Sequence, residues 1–588
     1  MPKELTVTTE AVDDIPILLA SAKKMGVMEL LDEHFAVDSK WQGISLGQML
    51  TGWLSHILSE GDHRLNQVQG WAEMRPETLK GCLGVEVRAL DFSDDRLARG
   101  LELLSDDEHW QSFEAALNQR SLRVYDLKAE RVRIDTTSAS GHWQVTEDGL
   151  FQFGHSKDHR PDLPQLKVVL ATLDPLGMPV ATQVVSGNKA DDPLYIPAID
   201  QVRAGVNRRG LLYIGDCKMM SLKTRAYLQA GGDHYLGPFS AIEVSAESLD
   251  AYLAPVWRGK QSLVNIKRRG INGKLPALRA VRVEKIAEGF EGSEAVIGMA
   301  EGQEVHWQER RLIVHSLGHA KAAEAGLASR LQKAQSALEA LTQRKQGKER
   351  FTDADTLRQA AETMLQQQDL QGLLQVQIGE EVQKRQVRQY GGHPAETRRE
   401  HRLTLTVQRS ERAIQKTIRR FGWRVYGTNH PQSQLSLPQA VLAYREEYIV
   451  EHCFGRLKGK PLSLTPMYLE DDRHATGLTR LLSIGIRILT LLEHRARSHL
   501  AEQGEKLSGL YAGNPTRATD RPTTEALLRA FENIYLNFVT VGGQTYHHLT
   551  PLSKLQREIL RLLELPASIY TRLDTESPAH FPDSENSP

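Results

Sequence analysis

At 588 residues the chain is too long for one core; at roughly 100 to 200 residues per domain it implies three or four. Charged residues at 25% and hydrophobic residues at 40% match ordinary soluble composition, which excludes wholesale disorder and fibrous repeats. The formal net charge of -1 excludes a chain that is basic throughout but leaves room for local runs. No run approaches the roughly 18 apolar residues that span a bilayer, and the start MPKELTVTTEAVDD has no basic stretch leading into an apolar one. A cytoplasmic protein with no membrane partner is therefore expected. Cys82, Cys217 and Cys453 are scattered, with no CxxC pair, so a disulfide framework or thiolate zinc site is not expected. Any metal should sit on oxygen or imidazole ligands.

Residues 1–127 read as helical, from the apolar spacing in IPILLASAKKMGVMELLDEHF and LGQMLTGWLSHILSE. Ser93 suits an N-cap, and Asp94 and Asp95 suit the positive start of the helix that follows. From about residue 128 the pattern turns to short β-rich runs: ERVRIDTTSAS, LPQLKVVLATLD, MPVATQVVSGN and GLLYIGDCKM, with a helical segment near 194–204. This is a mixed α/β core over 128–240. Residues 241 to about 310 look like further strands, and 318–376 read as helical with Leu327, Leu331, Leu338 and Leu341 on one stripe. The stripe is too short for sustained heptads and predicts a helical hairpin packing on itself. A strand GWRVYGTN follows, then a helix beginning near Pro438 and running through AVLAYREEYIVEHCFGRLKG. The last region, 501–588, contains helical stretches TTEALLRAFENIYLNFV and PLSKLQREILRLLEL and a tail, HFPDSENSP, expected to be disordered.

Two positive segments stand out in this neutral chain. Residues 258–282 carry eight Lys/Arg and no acid, and 398–424 carry nine against Glu400 and Glu411. Each could be a solvated face; Trp257 and Trp423 beside them favour nucleic acid.

Asp135 and Asp216 each stand where a core strand is expected to end. Burying an unpaired carboxylate costs on the order of several kcal/mol, a cost that a shared cation would remove. In the helix after GWRVYGTN, Glu451 and Lys458 lie at +7 and +14 from Tyr444, offsets that return to nearly one face. That face would offer a phenol, a carboxylate and an ammonium, although the segment alone is also an ordinary charged amphipathic helix.

Together these features resemble the DDE transposases of bacterial insertion sequences. The shared stretches are RIDTTS around Asp135, GHSKDHRPDLPQ at 154–165, IGDCKM around Asp216, GWRVYGTNH and the helix with Tyr444, Glu451 and Lys458. DFSDDRLARGLELL is similar to the amino-terminal helical domain of one subgroup, and the resemblance covers roughly residues 60–500. In the branch it most resembles, the last helix carries Tyr, Arg, Glu and Lys at offsets 0, +3, +7 and +14; here the arginine position is Glu447. The resemblance implies an RNase H-like α/β core with a mixed sheet, interrupted by a large insertion, plus a helical N-terminal domain. In this division 1–127 is the helical domain that binds DNA ends, 128–240 and 422–500 form the core, 241–421 is the insertion, and 501–588 is a helical C-terminal region. It also implies phosphate-backbone contacts for Tyr444 and Lys458, with a partly buried aromatic as the alternative for the tyrosine.

Phosphodiester cleavage and strand transfer need an activated oxygen nucleophile and neutralisation of the leaving oxygen, which two divalent ions roughly 3.5 to 4 Å apart can supply. Asp135, Asp216 and Glu451 are the expected catalytic and metal-binding residues for two Mg²⁺ ions, with Mn²⁺ as a substitute. His155, Lys157, Asp158, His159, Arg160 and Asp162 form a turn-like loop that suits loop organisation or DNA contact better than a second metal site. Lys157 and Arg160 are its candidate phosphate contacts. Trp423 suits core packing at a strand start, with stacking on an unpaired base as the alternative. The expected partners are the inverted repeats of an element, target DNA and a second copy of the chain. The competing functions are a metal nuclease without strand transfer and a DNA-binding protein whose acids merely cap strands. A glycosidase ranks last, because it leaves the basic runs without a purpose.

Overall fold

The computed structural model describes residues 5–272, 280–343, 351–387, 396–541 and 544–574. Its contacts divide the chain into two compact units. The first comprises Met1–Gly237, Ile297–Trp307 and Ala443–Pro588; the second comprises Pro238–Val296 and Gln308–Leu442.

The first unit opens on a strand, β1 (Leu5–Ala11), which helical periodicity does not foresee. It pairs antiparallel with Tyr535–Val541, which in turn pairs with Gln544–Leu549, so the two ends of the described chain share a three-stranded sheet. The expected helix through TTEALLRAFENIYLNFV is accordingly cut short at Arg529, and the β-prone NIYLNFV portion becomes that central strand. Seven helices between Ile15 and Val124 form the expected helical region. Helix Leu46–Glu60 shows how the sequence sets their limits: Ser45 and Gln48 make a reciprocal capping box at its start, and Gly61 closes it in the left-handed conformation at φ 71°. Ser93 caps Asp94–Leu104 by its extended backbone, without a side-chain cap bond.

Helix Asp472–Gln503 runs through the middle of this unit. It is long and apolar enough to cross a membrane by length and composition, but 94% of its apolar window is buried inside the protein, as in a core helix. It packs so closely on Asp94–Leu104 that a Cβ at Gly477 would lie 2.1 Å from the Leu101 carbonyl oxygen. Its Arg487, wholly buried, binds Glu114 of helix Asp107–Val124.

The core sheet of this unit contains β2 (Arg131–Ser140), β3 (Gln165–Asp174), β4 (Met178–Ser186), β5 (Leu212–Ile214) and β6 (His234–Pro238) in the order β4-β3-β2-β5-β6. The first three pair antiparallel; β2, β5 and β6 run parallel. Every residue of β3 is buried, as its near-continuous apolar run requires of a central strand. Helix Tyr195–Val206 follows β4 and helix Leu222–Ala230 links β5 to β6. This mixed sheet, with its helical N-terminal region, is the RNase H-like α/β architecture.

The second unit holds β7 (Val264–Asn272), β12 (Trp423–Thr428), β8 (Ala280–Ala300) up to Val296 and β9 (Gln303–Ser316) from Gln308, in the order β12-β9-β8-β7. They are preceded by a helix, Ala246–Trp257, where strands alone are expected; Ser245 caps it by accepting from the Ser248 amide. Helices Leu317–Glu339 and Ala354–Gln367 bury Leu327, Leu331 and Leu338 with Leu357, Ala361 and Leu365, and Leu341 packs at the margin. The same core takes in Leu405, because β10 (Leu374–Val387) and β11 (Glu396–Arg409) pair as a two-stranded ribbon that begins within the last residues of the expected helical region. The second basic run therefore falls on β11 and the helix Glu411–Ile418. Part of the first, residues 273–279, and the tail HFPDSENSP lie outside the described residues.

Candidate active site

The central pair of acids is placed by strand register. Parallel β2 and β5 are matched as Arg131↔Leu212, Val132↔Tyr213 and Arg133↔Ile214. Asp135 stands two residues past Arg133 and Asp216 two past Ile214, so the two carboxylates emerge side by side where β5 stops. Asp216 does follow a strand end. Asp135 does not, because β3 continues as a partner after β5 has ended; β2 runs on to Ser140 and Asp135 is matched with Leu170.

Each carboxylate is held by local donors. Asp216 Oδ1 accepts from the Tyr195 hydroxyl at 2.6 Å and from the Lys218 and Met219 amides at 2.9 and 3.3 Å. Burial, then the nearby charge of Asp216, holds the Tyr195 phenol protonated well above its usual range. Asp135 Oδ1 accepts from the Thr136 amide at 2.7 Å and from Lys157 Nζ at 3.1 Å. Burial raises the Asp135 pKa, and the charge of Asp216 adds to this; Lys157 and the Thr136 amide oppose it.

The 154–165 loop connects this pair to the last helix. Lys157 donates from its backbone amide to Ser138 Oγ at 2.9 Å, while the next residue, Asp158, pairs with Lys458. Two ion pairs on adjacent loop residues thus join β2 to the helix that carries Glu451. Arg160 lies apart from them, paired with Asp162 at 2.8 Å in an exposed position.

The helix expected from Pro438 through Lys458 is broken. Leu437–Tyr444 ends at a turn over residues 445–447, and Tyr448–Lys458 starts afresh. Through the break the bonds tighten to i→i+3: Glu446 donates to the Ala443 carbonyl, Glu447 to Tyr444 and Ile449 to Glu446. Buried Arg133 of β2 meets the break, where its guanidinium binds the Ala443 carbonyl and pairs with Glu446 at 3.8 Å. The single-face argument therefore fails for Tyr444, half-buried on the preceding helix, and holds for Glu451 and Lys458, which share one.

That helix is seated by its buried face. Cys453 donates to the Gly177 carbonyl at 2.7 Å in the β3–β4 turn, and a Cβ at Gly177, which has φ 76°, would lie 3.0 Å from the Cys453 sulfur. Arg456 pairs with Glu493 at 2.6 Å and Glu525 at 2.9 Å. Glu451 lies exposed in the first turn.

Sequence reasoning treats Glu447 only as a departure from the arginine position, but electrostatically it belongs to the acid group. Burial raises its pKa most, followed by the charges of Asp135, Glu451 and Asp216, against the lowering effect of Arg133. Tyr195 is also missed; its only signal is a tyrosine at the start of an apolar helix. Trp423, in the second unit, begins β12 and stacks on His315 with centroids 4.8 Å apart. Both rings are only partly buried.

Asp135, Asp216, Glu447 and Glu451 offer only oxygen donors, the chemistry that suits Mg²⁺ or Mn²⁺. Two aspartates with adjacent charges, one of them disfavoured by burial, fit a hard cation. As arranged, however, no three His, Cys, Asp or Glu side chains among the described residues stand close enough to hold one ion. The cation at Asp135 here is the Lys157 ammonium.

A family model described as a transposase DDE domain matches residues 128–484, which include all four acids, both core lysines and the 154–165 loop. A domain of unknown function (DUF4277) matches residues 7–116, the helical region. No curated protein matches the chain. With more than half of its length matched, and with the sheet and acid pair described above, the chain belongs to the transposase DDE domain family.

Proposed function

We propose that the protein binds the terminal inverted repeats of an insertion sequence, cleaves phosphodiester bonds at the element ends and transfers the 3′-hydroxyl to target DNA. The observation that carries this reading is the register that brings Asp135 and Asp216 together, beside a helix bearing Glu451. Asp135, Asp216 and Glu451 are the proposed catalytic residues and ligands of two Mg²⁺ ions, replaceable by Mn²⁺. When bound, these ions activate the attacking oxygen and neutralise the leaving one.

The chain's own side chains have separate tasks. Asp216, fixed through Oδ1, offers Oδ2 as a donor. Lys157 balances the Asp135 charge and, released from it, can meet a phosphate near the cleavage point. Lys458, two helical turns from Glu451, is about 10 Å along the axis at roughly 1.5 Å per residue and suits a neighbouring phosphate. Tyr444 and Arg160 are assigned further backbone contacts. Trp423 is assigned a stacking contact to an unpaired base, which requires its pairing with His315 to open. The proposed division into end-binding helical domain, core, insertion and C-terminal region follows the residue ranges given above, with two copies of the chain bringing two DNA ends together.

The test is incubation of purified protein with a DNA fragment carrying the element end, in Mg²⁺ or EDTA, with nicks mapped to the nucleotide. Nicking at the end and joined products, both abolished by EDTA, are expected. Cleavage without joining would reduce the protein to a nuclease, and binding without metal-dependent cleavage would leave the DNA-binding reading.

A further inference from the structure

Tyr195 is 1% exposed, with its ring in the core alongside Ala198, Ile199 and Val202 of the same helix. A phenylalanine would serve such packing without a hydroxyl to satisfy, since a buried hydroxyl needs a partner. The partner is Asp216: the phenol donates to Oδ1 at 2.6 Å. Asp216 needs such support because it sits on a loop beyond a three-residue strand. Its two other donors, the Lys218 and Met219 amides, come from that same loop; among the described residues Tyr195 alone donates to it from another element. The start of the tyrosine's helix is itself anchored, because Asp191 just before it pairs with buried Lys167 of β3 at 2.8 Å.

We propose that Tyr195 is a positioning residue, which locks the Asp216 carboxylate through Oδ1 and so presents Oδ2 to a divalent cation. This rests on the assignment of Asp216 as a metal ligand. All three donors converge on one oxygen, which fixes rotation of the carboxylate and leaves the other oxygen to a ligand. A hydrogen bond that orients a metal-binding group is commonly worth tenfold or more in metal affinity.

The test is Tyr195→Phe in the full chain, which keeps the ring and removes only the hydroxyl. Mn²⁺ binding to DNA-free protein, followed by paramagnetic resonance of the free ion, should weaken by about tenfold. The Mn²⁺ concentration for half-maximal cleavage should rise by the same factor, with the rate at saturating Mn²⁺ near that of the parent. Affinity for end DNA in EDTA should not change. Mn²⁺ binding equal to the parent's would overturn the proposal. So would a further tenfold loss when Tyr195→Phe is added to Asp216→Asn, since the tyrosine would then act through some other group. If Asp216→Asn alone binds Mn²⁺ and cleaves like the parent, the underlying ligand assignment fails, a result separate from the behaviour of the tyrosine. Should Tyr195→Phe melt early, Mn²⁺ binding is compared below its melting temperature, where binding by the folded variant equal to the parent's would likewise overturn the proposal.

Discussion

Replacing Glu114 by leucine should be among the most damaging single changes in the first unit. Glu114 is 2% exposed and Arg487 is 0% exposed; Arg487 Nη2 donates to Glu114 Oε1 at 2.6 Å and Nη1 to Ser483 Oγ at 2.9 Å. The other carboxylate oxygen accepts from the Thr182 amide of β4 at 3.2 Å. Strand β4 is the edge of its sheet, so the carboxylate satisfies a group that no neighbouring strand can reach. Glu114→Leu therefore strands a buried guanidinium, at about 3–5 kcal/mol, and a strand amide, at about 1–3 kcal/mol. Glu114→Leu with Arg487→Leu removes both charges and retains chiefly the amide cost. We expect the single variant to lose about 4 kcal/mol or more in urea unfolding, with about 2–3 kcal/mol recovered in the double variant. Hydrogen exchange at Thr182 should accelerate in both. A single variant within 1 kcal/mol of the parent, or a double variant less stable than the single, would refute this reasoning.

Three further outcomes follow from named contacts. Lys157→Met removes the ammonium that stands 3.1 Å from Asp135, and a half-exposed pair worth about 1 kcal/mol should translate into roughly fivefold tighter Mn²⁺ binding by DNA-free protein; unchanged binding would count against competition for Asp135. Asp14 is buried, and desolvation pushes its pKa from 3.8 up to about 6. Its charged form opposes folding, a penalty absent below the unfolded value, growing between about pH 4 and 6 and complete above that, at about 3 kcal/mol. Asp14→Asn should therefore stabilise the protein at pH 7.5 and lose that advantage towards pH 4, as read by thermal melting; a constant difference across that range would contradict it. Burial pushes the Cys82 and Cys453 thiols up to about 12, so a thiol reagent should label the native chain at half-buried Cys217 alone, as mapped by mass spectrometry. Rapid labelling of Cys453 would show that the Glu451 helix lifts off the β3–β4 turn.

Much of the core was legible because its signals are local. The runs RIDTTS and LLYIGD carry strand composition and show their acids locally, whereas the parallel pairing that sets Asp135 beside Asp216 joins segments far apart in the chain and appears only in the fold. The Leu327, Leu331 and Leu338 stripe likewise declared its buried face. What stayed hidden depended on distant partners. The stretch from Ala440 to Lys458 has helical propensity throughout, and at its break the Ala443 carbonyl is bound by Arg133, 310 residues away in sequence. Strand β1 and Tyr535–Val541 are strands because they meet each other across the length of the chain. The ribbon of β10 and β11 alternates apolar and polar residues only at its base, in LQVQI and LTLTV, and its remaining length is polar, so the strand signal is short beside the long helical stretch before it. Glu447 was visible only as an exception to the pattern of related sequences, and its electrostatic tie to Asp135 and Asp216 became visible with the fold.

The central claim is that Glu451 completes the catalytic acids, and Glu447 is the neighbour that competes for that role. The direct measurement is metal-dependent cleavage of an element end by Glu451→Gln and Glu447→Gln, side by side, with end-DNA binding measured in EDTA. Loss of cleavage in Glu451→Gln with binding retained, and residual cleavage in Glu447→Gln, is the predicted result. Cleavage at the parent rate by Glu451→Gln, with loss in Glu447→Gln, would contradict the assignment and move the third acid one helical turn, to the break in the helix.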